Sequence, residues 1–93
     1  VSANNLPVAG YKLVSGVGGN VSPRPASLLG IFVSAASATP TITVYDDAAA
    51  GTTTKIVDTF TPAPATWYQL PFGASAGINV VLGGTVSATV AFS

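Results

Sequence analysis

Apolar residues in this chain recur at every second position, with Gly or Pro between the runs, and that period admits strands while leaving no credible helix. Ile42 and Val44 alternate with Thr41, Thr43 and Tyr45. Val86, Ala88, Val90 and Phe92 alternate with Thr85, Ser87, Thr89 and Ala91. Each run has the pattern of a strand with one face buried and one face lightly polar. Further strands are expected over residues 11–15, 27–35, 55–60, 67–72 and 77–82. Within 27–35, Leu29, Ile31 and Val33 share one face while Leu28 and Phe32 lie opposite, so this strand is expected to be covered on both sides. Gly83-Gly84 separates two alternating runs and reads as a tight hairpin. Residues 46–51 read as a longer, flexible connection, and 61–65, with Pro62 and Pro64, as a stiff extended one.

The expected fold is therefore all-β: a single antiparallel β-sandwich, jelly-roll-like, with about seven or eight strands. Residues 10–93 make up the sandwich domain. Residues 1–9 have little periodicity and form a separate N-terminal arm, ordered only against a neighbour. The Gly-, Ser-, Asn- and Pro-rich stretch 15–25 is expected as a loop or sheet edge, because Pro23 and Pro25 cannot serve an interior ladder.

Charge is the second constraint. Lys12, Arg24, Lys55, Asp46, Asp47 and Asp58 are the only charged side chains, 6% of the chain, whereas an ordinary domain is about 25% charged. A free surface normally needs those charges to stay dispersed, so this one is expected to be covered by other chains. The net charge of zero and three scattered cations give no footprint for nucleic acid. No apolar run approaches the roughly 18 residues of a membrane span. With no Cys and no His, neither a disulfide framework nor a zinc site is expected.

The few candidates for chemistry are weak. Asp58-Thr59-Phe60 shares two residues with the Asp-Thr-Gly of retroviral-type aspartic proteases, but bulky Phe60 replaces the glycine that lets that loop turn. Asp46-Asp47 could contribute to a calcium site, yet hard cations need several oxygen ligands, and turn capping is the favoured reading. Gly16 to Asn20 is glycine-rich but opens no helix and carries no Lys-Ser or Lys-Thr. No catalytic residue, metal or cofactor is therefore expected. Trp67-Tyr68 is the one aromatic pair that could do more than fill the core, although ordinary packing under the Pro62 to Ala65 connection is the favoured reading. On a strand its two rings point to opposite faces, so one is free to anchor a partner or stack on a sugar while the other packs inward.

Leu28-Leu29-Gly30-Ile31-Phe32-Val33-Ser34-Ala35, then Thr41-Ile42-Thr43-Val44-Tyr45-Asp46 and Ile56-Val57-Asp58-Thr59-Phe60, form a pattern that continues through Trp67 to Phe72 and from Gly77 to Val90. It resembles the small β-sandwich virion proteins of tailed bacteriophages, over roughly residues 26–92. The likeness lies in strand and turn patterning, with no active-site signature. It implies a structural virion protein, a capsid decoration or cement protein on the outer capsid surface, assembled as a homotrimer and bound to the major capsid protein. The family supplies no catalytic residues. From exposure and composition, the expected partner interface is Val1, Leu6, Pro7, Val8, Trp67 and Tyr68. The alternative is a carbohydrate-binding or adhesion module of a phage fibre or tail, with a glycan as ligand.

Overall fold

Two strands run much further than the alternation suggests, and the rest of the chain is arranged along them. In the computed structural model, which describes residues 10–93, the protein is all-β and antiparallel, with no helix among the described residues. Its six strands are β1 (Gly10–Ser15), β2 (Gly18–Ser22), β3 (Ala26–Tyr45), β4 (Lys55–Phe60), β5 (Thr66–Ala74) and β6 (Ile78–Phe92). The expectation of seven or eight is corrected to six among the described residues. Residues 27–35 and 41–45 join into β3, residues 77–82 and 85–92 join into β6, and the glycine-rich stretch contributes β2. This is also short of the about eight strands of a jelly roll.

β3 and β6 pair with each other from Leu28↔Phe92 to Tyr45↔Asn79. On its other side β6 takes β1 along Ser87 to Phe92 and β2 along Ile78 to Val81. β3 likewise takes β5 along Ala26 to Val33 and β4 along Ile42 to Tyr45. Each outer edge is thus a broken strand laid along a continuous one.

The continuous strands bend. A straight β3 of 20 residues would reach about 66 Å, well beyond the longest dimension of 43 Å. The bend lies where Ser37 pairs with Thr85 and Thr41 with Gly83, so that Ala38, Thr39 and Pro40 stand opposite Gly84 alone. Ala38 and Thr39 take left-handed backbone, both at φ 56°, and Gly84 takes φ 67°. Excess residues on one strand increase local twist and bend it. Gly83-Gly84 therefore does not close a hairpin: its left-handed glycine serves a bend within one strand. The breaks in the outer edges fall at the same level, at Gly16 and Val17 between β1 and β2, where Leu82 N donates to Val17 O at 3.0 Å, and at residues 61–65 between β4 and β5.

The sheet is folded across this line into two halves, β1–β6–β3–β5 and β2–β6–β3–β4. The far ends of the halves meet again. Ala74 pairs with Ala26 at the start of β3, while Ser75, Ala76 and Gly77 bond to Asp46, just past its end. Val14, Ile31, Val33, Ala88 and Val90 from one half and Val21, Ile42, Val44, Ile78, Val80 and Leu82 from the other form one buried cluster. Each such side chain contributes about 1.5–3 kcal/mol relative to exposure.

One register detail decides which side chains face water. Between Leu28 and Gly30, β3 advances two residues while β6 advances one, from Phe92 to Ala91. The bulge resets the alternation and brings Leu28 into the core with Ile31 and Val33. The expected cover on both sides of this strand is not found among the described residues, since Phe32 stays exposed on the outer face. Residues 46–51, expected to be a flexible connection, are pinned. Asn20 and Asn79, direct partners across β2 and β6, donate through Nδ2 to Asp47 O (3.2 Å), Ala49 O (2.8 Å) and Gly51 O (3.0 Å).

Candidate interaction face

The two rings of Trp67-Tyr68 divide between the faces of β5, as strand geometry requires. Tyr68 turns inward, half-buried. Its ring lies 5.1 Å from that of Phe60 at 60°, a tilted pairing favoured by the ring quadrupoles. Its hydroxyl accepts from Ala63 N at 2.8 Å, fastening the 61–65 connection across the fold line. Trp67 turns outward. Its indole lies over Gly30 so closely that a Cβ there would collide with the ring, so glycine is what leaves room for it.

Registers place Trp67 in a row. Trp67 pairs with Phe32, Phe32 with Thr89 and Thr89 with Leu13, so a line that is apolar except at Thr89 crosses β5, β3, β6 and β1 on the outer face. Tyr11 lies two residues from Leu13 on that face, in the next row, with Ala91, Gly30 and Gln69. Leu13, Tyr11 and Phe32 were not among the residues expected from sequence. The available signal is that Tyr11 and Leu13 make one face of β1 apolar while Val14, beside Lys12, supplies an apolar residue to the other as well. Val1, Leu6, Pro7 and Val8, and the proposed arm they belong to, lie outside the described residues.

Each carboxylate accepts hydrogen bonds from backbone amides of the chain, and two of them from side chains as well. Asp46 Oδ2 accepts from Ser75 N (3.1 Å) and Ser75 Oγ (2.9 Å), and Oδ1 from Ala76 N (2.8 Å) and Gly77 N (3.2 Å). The Ala76 and Ser75 amides lead in holding its pKa down, from an ordinary 3.8 to about 2. Asp47 Oδ1 accepts from Ala49 N (2.7 Å) and Gly51 N (3.0 Å). Both residues cap turns. Asp58, exposed on β4, accepts from Lys55 Nζ (2.9 Å) and Thr59 N (2.8 Å), and the Lys55 hydrogen bond is the main cause of its lowered pKa. Among the described residues no three His, Cys, Asp or Glu side chains gather where they could hold a metal ion, and no pocket opens.

No protein-family model, curated protein or solved structure matches the chain. The virion resemblance rests on strand and turn patterning alone.

Proposed function

We propose that this chain is a non-enzymatic structural module that works by surface association, decorating and cementing the outer shell of a tailed-phage capsid together with copies of itself. The observation that supports the reading best is the exposed row of Leu13, Phe32 and Trp67. A sheet whose inner face is already a complete core presents a second apolar face to water, in a chain with few charges to keep it dispersed. In this reading the folded sheet is a two-layered sandwich, because both halves feed one core. The homotrimer and the major capsid protein as partner follow from the family resemblance. Short uncharged side chains suit a cement, since ordering long charged ones on assembly costs entropy.

The test is stoichiometry. The chain should be found in purified virus particles in fixed ratio to the major capsid protein, and removal of residues 1–9 should lower its occupancy on stripped particles. Absence from every particle fraction would overturn the reading. Trp67 supports a second reading, a carbohydrate-binding module, because an exposed indole is a surface on which sugar rings stack. A glycan array separates the two.

A further inference from the structure

We propose that the outer face of the β1–β6–β3–β5 half is where a second copy of this chain packs. The inference rests on the structural-module reading and gives its self-association a location. Strands lie about 4.8 Å apart, so the row from Leu13 to Trp67 is roughly 14 Å wide. Tyr11 is 77% exposed, Leu13 62%, Trp67 49% and Phe32 42%. With aromatic side chains of roughly 150–250 Å² each, these leave on the order of 400–500 Å² of apolar surface in water. A stable interface buries about 800 Å² per partner, and homodimer interfaces are about 65% apolar, so the apolar part needed is about 500 Å². The patch has the size of one partner's share.

Charge selects the occupant. Lys12, the only charged residue on these four strand segments, pairs with Val90 on the other face of β1, and its ammonium donates to Asn20 O at 2.7 Å. Lys55 and Asp58 are on β4, in the other half, and Arg24, Asp46 and Asp47 lie in connections. An uncharged face offers nothing to an anionic or cationic partner. A second copy of a chain with zero net charge meets it without desolvating an ion or opposing a like charge. Glycine at position 30 leaves room for the Trp67 indole to approach the sheet backbone, so the ring protrudes less from this face than it would over a side chain.

Light scattering on the full chain, from about 1 to 100 μM, tests this beside three variants. Trp67→Lys and Leu13→Lys place a charge within the row. Val17→Lys places one at a still more exposed apolar residue on the β1–β2 turn, outside it. The expected result is a wild-type mass of two or three chains of 9.2 kDa, retained by Val17→Lys. Trp67→Lys and Leu13→Lys should fall to one chain with unchanged far-UV circular dichroism, their dissociation constants raised at least about 30-fold. A wild type monomeric throughout, or both row variants associating like wild type, would overturn the proposal. So would a monomeric wild type that binds insoluble polysaccharide through Trp67. A monomer still stoichiometric on particles sinks this face and spares the virion reading; an oligomer absent from particles does the reverse.

Discussion

Asp46 and Gly84 each hold together parts of the chain that are distant in sequence, and each does so through backbone groups. The Asp46 carboxylate takes donors from Ser75, Ala76 and Gly77 on both oxygens, joining the end of β3 to the turn between β5 and β6. Since its folded pKa, about 2, lies below the ordinary 3.8, its stabilisation is fully present above pH ~4 and is lost as pH falls through about 2. Denaturation midpoints should therefore drop on acidification from pH 5 to 2, with a smaller contribution of the same sign from Asp58, whose pKa is also lowered. Asp46→Asn turns an NH₂ toward donors. It should be less stable than wild type at pH 7 and should lose less between pH 5 and 2; parallel pH profiles would refute the assignment. Gly84 is constrained by space as well as by its φ of 67°. A Cβ there would strike the carbonyl oxygens of Ala38 and Thr39, and both are backbone. Gly84→Ala should cost about 3 kcal/mol or more in urea denaturation, since left-handed strain of about 1–2 kcal/mol is joined by a clash that side-chain motion cannot relieve.

β3 and β6 show which elements are legible in a sequence and which are not. The period-two runs around Ile42, Val44, Val86 and Val90 give the strand class and the inward faces directly, because burial alternates with the pleat. β1 and β4 fall close to their expected positions for the same reason. Continuity was not legible. A left-handed glycine satisfies a hairpin and a bend alike, and the choice at Gly84 depends on three residues of β3 more than forty positions away. The bulge near Leu28 is equally hidden, although it decides that Leu28 is core and Phe32 is open. For the candidate face, Trp67 was legible from strand alternation. Its neighbours Leu13 and Phe32 were not, because a row across strands exists only once registers are fixed. The bend also carries a strain that can be removed. Thr39 is β-branched, sits at φ 56° and precedes Pro40, an unfavourable position for left-handed backbone. Thr39→Gly should raise stability by about 0.5–1 kcal/mol, the relief exceeding the added freedom of the unfolded chain. An unchanged or lower denaturation midpoint would mean that the Thr39 side chain holds the bend in place.

At the scale of the whole molecule, the two halves of the sheet should fold as one unit. β3 and β6 pass through both halves and pair across nearly their full lengths, while residues from both halves fill a single core. Neither half can dissolve without exposing apolar surface of the other, so a state with one half folded loses most of its burial. Trp67 is the only tryptophan and sits on β5, paired with the first part of β3. Its fluorescence reports one half, and far-UV circular dichroism reports all six strands. The two signals should give one superimposable urea transition. The midpoint should change little with salt, because the one ion pair among the described residues, Lys55–Asp58, joins exposed side chains that ions screen readily. Refolding should be slow for a chain of this size, on the order of milliseconds to seconds, since the central pairing of β3 with β6 and the closing of β1 on β6 must wait for residues far apart in sequence to meet. If Trp67 fluorescence were lost at a lower urea concentration than the dichroism, the β1–β6–β3–β5 half would be opening alone. The fold line at Ala38 and Gly84 would then be a hinge between separable sheets, and the shared core would contribute less to stability than its burial implies.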